Sequence, residues 1–510
     1  MIAARTAGAF TALTAAPLAE GSALPAVVVF AYLALMLVVG IAAGAPWRPR
    51  QGDAVTGFVA GDRAFGPVVM YFVTGATIFS AYALIGTPQR VVAKGSDVLY
   101  ILAFGAIGFV PTFYFGGRVR RWGARVGAVT QAELMGLRFD SPAITLVMGV
   151  ATLAAFVPYV VIQLKGAGLV MEAVTGWPAA GGAALVYAVV VTYVVIGGVR
   201  GVGWTNVVQG VAMLAVVWWL GITVPTRLFG GVAAMFERVA HERPELLALP
   251  GPGPTSLGQY TSEVLVSALG FSMWPHTFMK CFTARSARLV QLTTVLYPTF
   301  LYFLVPLVFL GYAAALLGAP GDDRVLLWLL AHPDTGLGAG AFAFVAFAVL
   351  AASMSTGDAL IHAGGSIAVR DVWVRGLGRP LGDRSEARAM QVCAAGLGVA
   401  AMGLLVVADR VPVVELLLLA YAVPIQFLPV VLAGLYVPRA TGPGALAGLL
   451  VGLGVVVGLF VGERVGVGAW LNPWGLQIGV LGLLGNVAAL VVISALTRPV
   501  PPEHLARFDP

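Results

Sequence analysis

Thirteen apolar stretches of roughly 20 residues punctuate this chain, and no other feature constrains its fold as strongly. They run approximately over 24–45, 66–94, 97–117, 142–173, 179–198, 203–226, 260–279, 289–318, 339–368, 389–408, 412–436, 442–462 and 475–497. In hydrocarbon, backbone polar groups must be satisfied within the segment, so such stretches fold as helices. Of the 510 residues, 59% are hydrophobic and 10% charged; soluble domains carry about 25% charged residues. The chain therefore reads as an all-α polytopic membrane protein embedded in the lipid bilayer. No connector is long enough to fold as a soluble domain, so any binding chemistry belongs to the membrane part.

The net charge of +7 reflects topology rather than affinity for nucleic acid. With the N-terminus outside, 20 of the 30 Lys and Arg residues fall in inner segments and nine in outer ones, Lys165 lying within a span. This asymmetry places the C-terminus in the cytoplasm of a plasma-membrane protein, and an odd number of spans preserves it. The weakly apolar first 22 residues, with a thin charged start, read as a short outer tail rather than a signal peptide. Two cysteines, Cys281 and Cys393, imply no disulfide framework. No motif points to an obligate protein partner.

Asp358 lies in the ninth stretch, in the apolar run AFAFVAFAVLAASMSTGDALIHAGGSIAV over 341–369, just after Ser353-Met354-Ser355-Thr356. A carboxylate at the centre of a membrane helix costs at least about 2.5 kcal/mol to insert, which marks it as functional. Carboxylate and hydroxyl oxygens at one depth suit a hard monovalent cation. His362, one helical turn on, shares the face of Asp358 and is a candidate for a proton relay, with a structural role as its alternative.

Two spans carry helix breakers. The second contains Gly75, Ser80, Gly86 and Pro88; the seventh contains Gly270 and Pro275. Proline removes a backbone donor, and unwound backbone at membrane depth is tolerated where it lines a cavity. The two lie five spans apart, so they run in opposite directions. This is the pattern of inverted repeats whose broken first helices form a midplane site. The repeats are expected over 66–226 and 260–436, with extra helices at 24–45 and 442–497.

The motifs then resemble those of the sodium:solute symporter family. Gly57-Phe58-Val59-Ala60-Gly61-Asp62-Arg63 is similar to the family's segment before the broken helix, and Ser80-Ala81 with Gly86 and Pro88 to the break itself. Gln163 to Gly168, the run Gly197 to Gln209 (GGVRGVGWTNVVQ), Pro275-His276 and Met354-Ser355-Thr356 follow in order. The resemblance implies a five-plus-five inverted-repeat, leucine-transporter-like fold with alternating access. It also implies a sodium site from the backbone carbonyls of Ala76, Phe79 and Ala352 and the hydroxyls of Ser355 and Thr356. Two family acids are replaced, by Ile78 and Asn206. Asp358 is then the candidate for the missing charge, either beside a sodium ion or as a protonation site in a proton-coupled variant.

For substrate, the candidates are Ser80, Tyr82, Gln163, Lys165, Ser267, Phe271 and Trp274. Lys165, about 12 Å from the end of its span, is expected to face an anionic solute or to pair with Asp358. The expected function is sodium-coupled uptake of a small organic solute, a monocarboxylate first, with an amino acid such as proline, or pantothenate, as alternatives. No nucleophile–base or metal spacing supports an enzyme.

Overall fold

The computed structural model describes residues 22–44, 53–252, 256–408, 417 and 420–508. The N-terminal tail with Arg5, the connector residues Arg48 and Arg50, Arg410, and the start of the eleventh stretch at 412–416 lie outside the described residues. Among the described residues the chain is helical throughout, with one isolated bridge between Phe65 and Ala284.

Among the described residues, thirteen helical elements, straight or broken, follow the expected order. They are α1 (Leu24–Ala43); α2a (Pro67–Ile78) and α2b (Thr87–Lys94), joined by a π-helical turn at Tyr82–Gly86; and α3 (Tyr100–Ile107 continuing as Val110–Val126). Then come α4 (Pro142–Thr175), and α5 and α6 within one helix, Ala179–Phe229. The second half holds α7a (Leu257–Phe271) and α7b (Pro275–Phe278 and Lys280–Thr283), α8 (Ala287–Leu301 and Leu304–Leu316), α9 (Ala339–Ile367) and α10 (Asp383–Ala408). α11 (Phe427–Tyr436), α12 (Gly442–Arg464) and α13 (Ile478–Leu496) complete the bundle. The breaks fall where the breakers predict, at Phe79-Ser80 and at Ser272-Met273-Trp274.

One expectation changes. The inner connector anticipated around Arg200 is not a loop: α5 passes into α6 at Gly198, with φ 56° and ψ −155°. Only glycine adopts this conformation cheaply. A Cβ there would also come 3.0 Å from the Phe58 ring. The double glycine of the GGVRG run therefore turns the chain within a single residue.

Segments assigned to the same side of the membrane meet one another. At one end, Arg63 donates to the carbonyls of Ala128 (2.8 Å) and Gly123 (3.1 Å), and His504 Nε2 to that of Leu137 (2.7 Å). There too, buried Glu133 accepts from Arg370 and Arg375, each at 3.0 Å. At the other end, Arg324 pairs with Glu172 (3.2 Å) and Tyr312 donates to the Leu246 carbonyl (3.2 Å). We call these ends inner and outer, after the charge asymmetry.

α9 is the hub. Every residue from Ala348 to Ile367 is buried, with no face turned to lipid. A helix enclosed on all sides can carry hydroxyls and a carboxylate, because neighbouring helices supply their partners. α1, α4, α5–α6 and α10 pack around it.

Candidate ion and substrate site

In an unbroken α2 the amides of Ser80 and Ala81 would bond to the carbonyls of Ala76 and Thr77. Phe79, at φ −83° and ψ 81°, turns the chain out of the helix. The Ser80 amide then donates to Ile78 O (3.0 Å), and the Ala81 amide to Gln163 Oε1 of α4 (3.0 Å). Two carbonyls lose their helical partners. α9 supplies replacements: Ser355 Oγ lies 2.9 Å from Ala76 O, and Thr356 Oγ1 lies 2.8 Å from Thr77 O. An unpaired carbonyl in hydrocarbon costs several kcal/mol, so these contacts join the break to α9.

The Ser355 hydroxyl also lies 3.1 Å from Ala352 O. One hydroxyl proton thus faces two carbonyls. Ala352 O keeps its helical partner, the Thr356 amide, whereas Ala76 O has lost its own, so the three converging oxygens hold lone pairs that suit a small cation. The structure brings together Ala76, Ala352 and Ser355 of the five expected ligands. Thr356 is one residue along, on the Thr77 carbonyl rather than that of Phe79. The Phe79 carbonyl sits at the break itself, and its ring stacks on Phe300 at 5.2 Å. Thr77 was not anticipated, because the pattern of freed carbonyls depends on where Gln163 captures an amide.

Asp358 is fully buried one turn below these hydroxyls. Tyr193 OH donates to Oδ2 (2.8 Å), Asn206 Nδ2 lies 3.3 and 3.2 Å from its two oxygens, and Thr205 Oγ1 lies 3.2 Å from Oδ2. Asn206 also accepts from the Thr77 hydroxyl (3.1 Å). One amide therefore links the broken backbone of α2 to the carboxylate of α9. An aspartate at 206 would set two carboxylates side by side; the amide instead donates to Asp358. Tyr193 and Thr205 were missed by sequence reasoning, although Thr205 lies in the WTN run.

His362 does not meet Asp358. Its Nε2 donates to the Phe58 carbonyl (2.9 Å) and its ring packs 5.0 Å from that of Phe58, a structural placement. Lys165 does not meet Asp358 either. Its ammonium pairs with Asp323 (3.1 Å), from the outer segment between α8 and α9. The side chain of Lys165 points along α4 toward the outer end, where a carboxylate relieves the cost of burying it. Gln163 is likewise committed to holding the break, with Nε2 on the Tyr159 carbonyl (3.1 Å).

Beside the break lies a cavity of about 20 Å³, room for the centre of one water. Its wall includes Phe79, Tyr82, Phe104, Tyr159, Phe271, Tyr297 and Tyr421. Of the substrate candidates, Tyr82 and Phe271 line it. The Ser80 hydroxyl is buried toward Tyr159 without closing a hydrogen bond of good geometry. Trp274 packs behind the wall, 4.8 Å from the Tyr159 ring and 5.3 Å from that of Tyr421. Ser267 lies on α7a one turn before Phe271, its hydroxyl buried and without a hydrogen bond. Tyr159, Tyr297 and Tyr421 come from three separate helices, and no local pattern marks them.

Comparison with known proteins places this geometry. The sodium:solute symporter family profile matches residues 58–452. The chain is 29% identical over 309 residues to the Bacillus subtilis symporter YhjB, covering 59% of this chain and 62% of YhjB. It is 26% identical over 492 residues to a monocarboxylate transport permease protein of Rhizobium johnstonii, covering 94% of this chain and 97% of the relative. Among solved structures, a Na+-coupled sialic acid symporter in a substrate-bound outward-open state superposes with a TM-score of 0.78 at 17% identity, over 94% of this chain and 98% of the other. Mhp1, a nucleobase-cation-symport-1 family transporter, follows at TM-score 0.58 and 13% identity, over 88% and 97%. These two show the fold, and the profile match across most of the chain shows that the protein belongs to the sodium:solute symporter family.

Proposed function

We propose that this protein is a sodium-coupled symporter of a small monocarboxylate, with sodium held where α9 meets the break in α2. The observation that carries the reading is the convergence of Ser355 Oγ on the carbonyls of Ala76 and Ala352, beside Thr356 on that of Thr77. Binding there requires α9 to lie against the unwound backbone. A cation that binds this arrangement better than a separated one shifts the population toward it and so completes the cavity wall at Phe79 and Tyr82. We assign the two repeats to 66–226 and 260–436, and the N-terminus to the outside.

For the solute, support comes from the relative named as a monocarboxylate permease and from the cavity's chemistry. Its wall is aromatic, with neutral groups that can donate to a carboxylate. The Tyr297 hydroxyl in the wall, and behind the wall the Ser267 hydroxyl and the Trp274 indole N–H, are buried without a hydrogen-bond partner of good geometry. No lysine or arginine lines it. The solute's negative charge would then be balanced by the co-transported cation. Lys165, paired with Asp323, is not required for this.

Uptake of labelled pyruvate, acetate, proline and pantothenate into proteoliposomes, under separate sodium and proton gradients, tests the reading. Sodium-driven accumulation of pyruvate or acetate in preference to proline and pantothenate is the expected outcome. Preferential proline or pantothenate uptake would overturn the substrate assignment and leave the ion site standing.

A further inference from the structure

The inner end of α3 carries a half-buried arginine whose donors no described residue of the chain uses. Arg118, Arg120 and Arg121 fall within a single turn of that helix. Arg120 turns inward and donates to the Ala284 carbonyl. Arg118 instead lies against two aromatic rings: its Cζ is 4.7 Å from the centroid of Trp122 and 5.3 Å from that of Tyr436, at the end of α11. Among the described residues, no carboxylate or carbonyl accepts from its guanidinium. Other half-buried arginines of the inner end differ. Arg63 donates to backbone carbonyls, Arg200 to Asp62, and Arg370 to Glu133 and Glu386.

The surface leading to Arg118 is apolar. Val110, Phe113 and Tyr114 on α3 are exposed, as are Leu432, Tyr436 and Val437 on or just after α11. In a membrane protein such a face is covered by acyl chains. Tyr114, Arg118 and Arg121 follow at i, i+4 and i+7, so the two arginines end this face at its inner margin. Arg121 is exposed, and the Tyr436 hydroxyl lies within electrostatic reach of both guanidinium groups.

We infer that Arg118, Arg121 and Tyr436 bind the phosphate of an anionic phospholipid, whose acyl chains lie along the exposed apolar faces of α3 and α11. A guanidinium packed against rings keeps its N–H edge free, and that planar fork matches two phosphate oxygens. Withdrawing a cation partly from water without an acceptor is costly, so an acceptor from outside the chain offsets the burial of Arg118. Net negative headgroups draw juxtamembrane arginines, whereas a zwitterionic lipid sets an ammonium against them. The site is separate from the ion and solute sites and does not depend on what the protein carries.

The test titrates phosphatidylglycerol, or phosphatidylcholine with the same acyl chains, into the full-length protein in neutral detergent. Bound lipid is counted by mass spectrometry of the intact complex. The parent is expected to hold one phosphatidylglycerol about ten-fold more tightly than phosphatidylcholine. Arg118→Gln should weaken phosphatidylglycerol about five-fold, and Arg118→Gln with Arg121→Gln about twenty-fold. Arg118→Lys, which keeps the charge and loses the flat fork, should weaken it about three-fold. Arg384→Gln with Arg388→Gln, two exposed arginines of α10 at the same end, should leave it within about two-fold. Equal binding of the two lipids by the parent, or equal losses in the two double variants, would overturn the site in favour of overall charge attraction. Arg118→Lys binding as tightly as the parent would overturn the stacked fork as its basis. Inorganic phosphate alone raising the melting temperature as far as phosphatidylglycerol does would overturn the lipid in favour of a soluble anion. Should Arg118→Gln fail to fold, Arg121→Gln, at an exposed position, is expected to weaken phosphatidylglycerol about four-fold, and no loss there would overturn the site equally.

Discussion

Ser355 and Thr356 carry two roles that ordinary hydroxyls in membrane helices do not combine. Such groups usually bond back to their own preceding turn; here both reach carbonyls of another helix. Ser355→Ala and Thr356→Ala should each strand a buried carbonyl, at about 1–3 kcal/mol, and weaken apparent sodium affinity about tenfold or more. Sodium titration of uptake checks this. Asp358→Asn should keep its contact with Asn206 in part while removing the charge. We expect uptake at low sodium to fall steeply, with protein yield and melting temperature changing less.

Lys165 belongs to a different account at the same scale. Removing one member of a buried pair costs about 3–5 kcal/mol, so Asp323→Asn should lower the melting temperature and leave KM for the solute within about two-fold. A large KM change in Lys165→Met with unaltered melting would instead return Lys165 to the substrate. The neighbouring Asp322 is an exposed residue of the same outer segment, and partial desolvation of its carboxyl raises it above the ordinary range, with a smaller contribution in the same direction from Asp323. A raised acid stabilises the fold below its unfolded pKa and loses that contribution as pH rises through its folded value. Asp322→Asn should therefore improve melting slightly at neutral pH and not at pH 3, a difference that melting curves at both pH values resolve.

At the scale of elements, Gln163 determines where α2 breaks. It gives the Ala81 amide an acceptor outside its own helix, and Gly166, three residues on, lets α4 approach. A Cβ at Gly166 would lie 2.4 Å from that of Ala81. Gln163→Leu should leave the Ala81 amide unpaired, cost about 1–3 kcal/mol, and reduce sodium affinity even though Gln163 makes no contact with the ion. Sodium titration beside a melting curve separates this from loss of the solute site, which should leave sodium binding intact.

The breaks themselves were legible in the sequence, because Gly75, Ser80, Pro88, Gly270 and Pro275 act on the backbone locally. Ser355, Thr356 and Asp358 were legible because hydroxyls and a carboxylate are costly in an apolar run. Tyr159, Tyr297 and Tyr421 were not, since an aromatic residue in a membrane helix carries no local sign of which face it turns to a cavity. The partners of Lys165 and His362 were missed for a related reason: charge and spacing say that a partner is needed, while tertiary packing decides which one.

Across the whole molecule, an enclosed hub meets a pair of broken helices. α9 is enclosed and carries Ser355 and Thr356, the hydroxyls proposed to hold the ion. α2 and α7 flank the cavity and meet at the outer end through Arg90 and Glu263. Coupling follows if one ion binding event holds α9 against α2 while the solute occupies a widened form of the aromatic cavity beside it. Direct binding of radioactive sodium to the purified protein, with and without Ser355→Ala and Thr356→Ala, tests this centre of the account. Saturable sodium binding in the parent, weakened about tenfold or more in both variants, is the predicted result. Sodium binding untouched by either substitution, or none in a parent whose uptake is driven by protons and abolished in Asp358→Asn, would contradict it.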